Sequence, residues 1–139
     1  MRLRIGLIGS GSVGGLVGDT LARTGFEDIL LMNFGRIETH NLDRLSYATR
    51  EDVGRLKVEI QAAHLTRTAT ANPFSVEPIT AAVYEDEGFR AALDCDLLFA
   101  CVDRPWGRYV LNLIAYAHLI PVVDVALRFA APSSEACRR

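Results

Sequence analysis

Ile8-Gly9-Ser10-Gly11-Ser12-Val13-Gly14 decides the fold. The apolar run Leu3–Ile8 leads into it and an apolar-periodic stretch follows, so it reads as a strand, a glycine turn and a helix. Each glycine has a separate task. Gly9 permits the tight turn, Gly11 lets the backbone approach a pyrophosphate, and Gly14 lets the helix pack close to the strand. The start of the helix offers unpaired N–H groups and the positive end of a dipole to an anion. This is the phosphate-cradling opening of a Rossmann-type unit. By itself it names neither the nucleotide nor the reaction.

Outward from the turn, strand and helix patterns alternate. Val13–Thr24 reads as a helix with Val13, Leu16, Val17 and Leu21 on one face, stopped by Gly25. Ile29–Met32 is a short continuous apolar run, as in a buried parallel strand. Thr49-x-x-Asp52 resembles a capping box, and predicts a helix to about Thr68 with a stripe of Val53, Leu56, Ile60 and Ala63. Asn72-Pro73 ends that element. Phe74–Ile79 then reads as a strand, Asp86–Leu93 as a short helix and Leu97–Val102 as a buried strand. Trp106–His118 reads as a helix with Tyr109, Leu113 and Tyr116 at helical spacing, and Pro121–Leu127 as the last strand. The pattern predicts an α/β chain, a doubly wound, mainly parallel sheet in a three-layer sandwich. Residues 1–129 are expected to form one domain and 130–139 an irregular tail.

Bulk composition narrows the function. The 139 residues fit one domain with a real core; half are hydrophobic and the net charge is -2. A nearly neutral chain without a basic stripe is a poor candidate for non-specific nucleic-acid or membrane binding. No segment approaches the roughly 20 apolar residues of a membrane span, and the N-terminal apolar run is too short for a signal-peptide core. Cys95, Cys101 and Cys137 form no C-x-x-C pair, which suits reduced thiols in a cytoplasmic protein. His40, His64 and His118 lack zinc-like spacing.

In such sheets ligands bind beyond the carboxyl ends of the strands. Asn33, Asp103 and Asp124 fall on that rim. Asp103 has two readings from its chemistry: a carboxylate holding magnesium against phosphates, or an N-cap for the helix that follows. Asn33 occupies the place where a dinucleotide fold usually puts a ribose-binding acid, which argues against an ordinary NAD site. Arg44 and Lys57 are cations that could clamp a polyphosphate. Read alone, each is more often a solvated surface charge.

Taken in order, these residues resemble the ThiF/MoeB/HesA family, the ubiquitin-activating-enzyme-like adenylation domains. After the glycine turn come Leu21-Ala22-Arg23-Thr24-Gly25-Phe26, then Met32-Asn33-Phe34-Gly35-Arg36-Ile37-Glu38-x-x-Asn41-Leu42-Asp43-Arg44. Asp52-Val53-Gly54-Arg55-x-Lys57 follows, then Cys101-Val102-Asp103 with Arg108 and Asn112, and Ile120-Pro121-Val122-Val123-Asp124. The resemblance implies ATP and magnesium as ligands, and adenylation of the C-terminal carboxylate of a small ubiquitin-like or sulfur-carrier protein with release of pyrophosphate. It implies that Gly9, Gly11 and Gly14 serve the phosphates, that Asn33 and Asn41 contact the nucleotide, that Arg44 and Lys57 stabilise developing charge, and that Asp103 holds the magnesium. It also implies a homodimer. Because the family includes tRNA-modifying members, a modified nucleoside stays open as the substrate.

The pattern departs from the family in three places. Asn33-Phe34-Gly35 replaces the usual Asp-x-Asp, whose first acid contacts the ribose hydroxyls. Asn33 keeps a hydrogen bond but loses its charge assistance, roughly 1 kcal/mol. Gly35 offers nothing in place of the second acid, and Val125 stands where a glycine usually follows Asp124. Weaker ATP binding, or a different nucleotide, is the expectation. Family members usually continue with further strands, a crossover segment and often a catalytic cysteine or paired zinc ligands. The C-terminal part of the family fold is therefore expected to be missing here, and the chain to adenylate a partner poorly alone. The alternatives are a weakened or non-catalytic nucleotide-binding or dimerisation module of the same fold and, with less support, a fragment of an NAD-dependent dehydrogenase.

Overall fold

A computed structural model describes residues 3–126. Its elements are β1 (Arg4–Ile8), α1 (Ser12–Thr24), β2 (Asp28–Met32), 3-10 turns at Thr39–Asn41 and Arg50–Asp52, α2 (Lys57–Thr68), β3 (Ser75–Ile79), α3 (Asp86–Leu93), β4 (Leu97–Ala100), α4 (Pro105–His118) and β5 (Val122–Asp124). All five strands are parallel, in the order β3-β2-β1-β4-β5. The chain order reverses direction between β1 and β4. Such a switch point opens a crevice at the carboxyl ends of the strands. Pro78 lies in β3, an edge strand, where its missing N–H costs no ladder bond on the open side.

The period-2 alternation of buried strands divides the core into two layers. Ile5, Leu7, Ile29 and Leu31 face α1 and α2 with Leu21, Val58 and Leu65. Ile8, Leu30, Met32, Leu98 and Ala100 face the other way, against Ala92 of α3 and Val110, Leu111 and Ile114 of α4. The three-layer α/β sandwich expected from the alternation is the one observed. A third, smaller cluster, Ile37, Leu45, Tyr47 and Ile60, anchors the long segment between β2 and α2.

Several helix readings change. The buried face of α1 is Gly14, Gly15, Gly18, Leu21 and Ala22, while Leu16 is 59% exposed. The helix presents its glycines because its neighbours lie too close for side chains. A Cβ on Gly18 would stand 2.6 Å from Gln61 Nε2, and one on Gly15 would stand 3.1 Å from the Tyr47 ring. The predicted helix from Thr49 starts instead at Lys57. Thr49 and Asp52 do form the capping box, but it closes only a 3-10 turn. Gly54 then takes φ +90°, and residues 35–37 form an antiparallel clip with 54–57. The clip comprises Ile37 N–H to Arg55 O, Gly54 N–H to Ile37 O and Lys57 N–H to Gly35 O, at 2.9, 2.8 and 3.0 Å. In α2 the buried residues are Val58, Ile60, Gln61, Ala62 and Leu65, whereas Ala63 and Val53 are exposed. In α4, Tyr109, Leu113 and Tyr116 lie on the solvent side. The last strand is shorter than predicted. Leu127, the tail from Ala130 and Cys137 fall outside the described residues.

Asp19 of α1 accepts hydrogen bonds from Arg23 Nε at 2.7 Å and from His64 Nε2 of α2 at 3.0 Å. Partial burial opposes its charge, but the bonds from Arg23, His64 and Thr68 outweigh that and hold the carboxyl below the usual carboxylate range. A depressed folded-state value means stability that is present above the unfolded value near ~4 and lost as pH falls through the folded one. Asp19→Asn should therefore lower Tm at pH 7, and the gap to wild type should close as pH falls through the depressed folded-state value. Circular-dichroism melts across that range test this; a gap that stays constant into strong acid would contradict it.

Candidate functional site

The switch point opens into a cavity of about 570 Å³. Its floor is the glycine turn. Gly9 takes φ +107°, and a Cβ there would stand 2.6 Å from the Cys101 carbonyl oxygen of β4's trailing end. Gly14 does not line the cavity; a Cβ on it would meet Gly9 O at 1.9 Å, so its task is to let α1 seat against the turn. Gly11 is different. It has an ordinary φ of -79° and nothing within 4 Å of where a Cβ would be, so it borders open space.

Three helices begin around this cavity, at Gly11–Ser12, at Lys57 and at Arg104. None of the three N-termini has a side-chain cap. Three positive dipole ends therefore border one volume, although the Lys57 N–H is held by Gly35 O and α4 begins with Pro105, which has no N–H. Arg44, Lys57, Arg104 and Arg108 also line it, against one carboxylate among the described residues, Asp103. An environment of that sign favours a multiply charged anion.

Of the residues singled out in the sequence, Gly9, Gly11, Asn33, Asn41, Arg44, Lys57 and Asp103 meet in this one cavity. Lys57 is the first residue of α2, held there by the clip to Gly35. Among the described residues Arg44 pairs with its neighbour Asp43, at 3.6 Å and with both side chains more than half exposed. Such a pair contributes little and leaves the guanidinium available. Asp103 is not the N-cap of α4; that position is Arg104, followed by Pro105 at the first helical residue. The capping reading of Asp103 is thereby removed.

Two of the predicted ligand contacts are partly committed elsewhere. Asn33 Oδ1 accepts the Gly35 N–H at 2.7 Å, closing a tight turn. Asn41, 5% exposed, uses its Oδ1 to accept the Glu38 N–H at 3.3 Å in the capping of Thr39–Asn41. Arg108, named only within a motif, is fixed between strands. Its Nε donates to Val102 O at 3.0 Å and its guanidinium lies 3.6 Å from Asp124. Arg104 was missed, although a basic residue directly after a rim aspartate was a readable signal. The Ala81–Tyr84 segment after β3 closes the far wall.

Cys101 also lines the cavity, but burial, reinforced by Asp124, pushes its thiol up to about 11. Burial pushes the Cys95 thiol likewise up to about 11. A protonated thiol is a poor nucleophile. Among the described residues no group of three or more His, Cys, Asp or Glu could hold a metal ion. Asp103 alone fits magnesium only in the manner usual for that ion, through one carboxylate, retained waters and the oxygens of a phosphate ligand. No helix among the described residues is long and apolar enough to cross a membrane.

A family model described as the ThiF family matches residues 1–131. Molybdopterin-synthase adenylyltransferase of Escherichia coli (strain K12) is 29% identical over 124 residues, which cover 88% of this chain and 49% of that protein. tRNA threonylcarbamoyladenosine dehydratase 2 of Saccharomyces cerevisiae is 31% identical over 122 residues, 85% of this chain and 27% of that protein. Among solved structures, Escherichia coli MccB with ATP superposes with a TM-score of 0.81 at 22% identity, covering 90% of this chain and 37% of that one. TcdA (CsdL) gives 0.80 at 24% identity, with 94% and 54% covered. The chain thus spans about half or less of the length of the relatives it matches.

Proposed function

Because the chain belongs to the ThiF family, we propose that its cavity binds ATP and supports adenylation of a carboxylate at the tail of a small ubiquitin-like or sulfur-carrier protein. The observation that carries this reading is the convergence of three uncapped helix N-termini and four basic side chains on a glycine turn. A carboxylate oxygen attacks the α-phosphorus, the bond to the bridging oxygen of the β-phosphate breaks, and pyrophosphate leaves. The step brings two anions together, so its barrier is largely electrostatic repulsion. Arg44, Lys57 and Arg104 would offset the charge on the polyphosphate, and the helix ends would receive it through backbone N–H groups. Arg108, tied to Val102 O and Asp124, is better placed to stiffen that wall than to follow a moving phosphate. Asp103 would hold magnesium, which when bound supplies further neutralisation of the phosphates.

A second reading has its own support. The Asn33 oxygen already accepts the Gly35 N–H, and Asp103 is the one carboxylate lining the cavity among the described residues. These favour a site that keeps the nucleotide with reduced affinity, as in a weakened adenylating domain or a nucleotide-binding module. The NAD-dependent alternative has least support, since no acid stands at the end of β2.

The test is thermal. ATP with magnesium at about 100 times its Kd should stabilise the fold by about 2.7 kcal/mol, a rise of several degrees in Tm. NAD at equal concentration should do much less. Equal shifts, or a larger one with NAD, would reject the adenylating reading. Pyrophosphate exchange with carrier proteins ending in Gly-Gly then separates a working adenylyltransferase from a binding module.

A further inference from the structure

Two side chains from outside the glycine turn grip its carbonyls from behind. The Tyr47 hydroxyl donates to Ser10 O, and Gln61 Nε2 donates to Gly14 O at 2.9 Å. Both are deeply buried, Tyr47 at 4% and Gln61 at 0% exposure, and neither lines the cavity. Their partners lie 37 and 47 residues away in the chain. Ser10 is wholly buried and also absent from the cavity wall, whereas Gly11 is on it.

A trans peptide is planar, with its C=O and N–H pointing in opposite directions. The Ser10 carbonyl and the Gly11 N–H belong to one such plane. A bond that holds Ser10 O toward Tyr47, on the buried side, turns the Gly11 N–H the other way. Without it the peptide could rotate, since Gly11 has no Cβ and meets nothing within 4 Å of where one would be. We propose that Tyr47 is a positioning residue: by holding the Ser10 carbonyl it presets the Gly11 N–H as a donor to a polyphosphate. Burial pushes the Tyr47 hydroxyl above its ordinary range, so it stays protonated and a donor at any working pH. The inference rests on the nucleotide-binding reading above and names a residue through which that site is built.

The experiment compares wild type with Tyr47→Phe, which removes one oxygen and keeps the ring against Gly15. ATP, inorganic tripolyphosphate and adenosine are each titrated by calorimetry. The expected result is about tenfold weaker binding of ATP and of tripolyphosphate, with adenosine within twofold of wild type. A uniform loss across all three, or no loss for tripolyphosphate, overturns the proposal. If wild type binds tripolyphosphate but not ATP, the adenylating reading fails, while the tripolyphosphate comparison still decides the role of Tyr47. If it binds none of the three, both fail. Should Tyr47→Phe fold poorly, amide NMR of the ligand-free protein gives a second readout at moderate temperature. The Gly11 amide resonance should shift while those of Ile5–Leu7 in β1 stay in place; equal displacement of both would overturn the proposal.

Discussion

Gly14→Ala is expected to cost at least about 3 kcal/mol, a fall in Tm on the order of 10 °C for a chain of this size. The new Cβ would stand 1.9 Å from Gly9 O and 2.8 Å from Gly9 C, both backbone atoms that cannot swing aside. Either α1 lifts from β1 or the turn flattens, and both outcomes dismantle the cavity floor. Gly11→Ala is the informative contrast. Its Cβ meets nothing and its φ is ordinary for any residue, so the fold should lose less than about 1 kcal/mol. Its methyl group would nonetheless stand where a phosphate must approach, so ATP affinity should fall while Tm barely moves. Differential scanning calorimetry with and without ATP separates the two. Equal destabilisation by both would mean that the glycines share one structural task.

Lys57→Ala is expected to weaken ATP binding by about 2 kcal/mol, roughly 30-fold in Kd, the worth of one charge-assisted hydrogen bond in a partly buried site. Stability should change little. The placement of Lys57 depends on its backbone N–H to Gly35 O, which alanine retains, and alanine is a good residue at a helix start. Isothermal titration with ATP and with adenosine gives the answer. Loss confined to ATP assigns the ammonium to the polyphosphate, whereas unfolding with the nucleotide site intact would make Lys57 a structural residue.

How far the sequence led differs from element to element, for physical reasons. The strands were readable because a buried parallel sheet demands continuous apolar runs, and Ile29–Met32 and Leu97–Ala100 can be little else. Gly9, Gly11 and Gly14 announced the turn because each solves a steric problem that other residues cannot solve as well. The α1 face was misjudged because hydrophobic periodicity assumes that large side chains make contacts. Here Gly14, Gly15 and Gly18 make them, and Leu16 is left outside. The start of α2 was misplaced for a subtler reason. The Thr49–Asp52 capping box is real, but a helix signal ends where a tertiary clip offers the backbone better partners. Arg44 and Lys57 carried no local mark of function and became candidates only through the order of motifs around them. Tyr47 and Gln61 were invisible, since their partners are set by how the segment between β2 and α2 folds back over α1.

The antiparallel clip between 35–37 and 54–57 has a bearing on how such a chain can vary. It fastens both ends of the intervening segment to each other, so the start of α2 takes its position from the sheet rather than from the loop. Residues 48–53 are then a tethered excursion that does not border the cavity: lengthening or shortening them reshapes the outer surface without transmitting a shift to the ammonium at residue 57. Loop-closure entropy grows only slowly with length, about 0.6 kcal/mol per doubling. Selection can therefore rewrite that outer surface while the charge machinery stays in register, and the two can be inherited, and engineered, as separate parts.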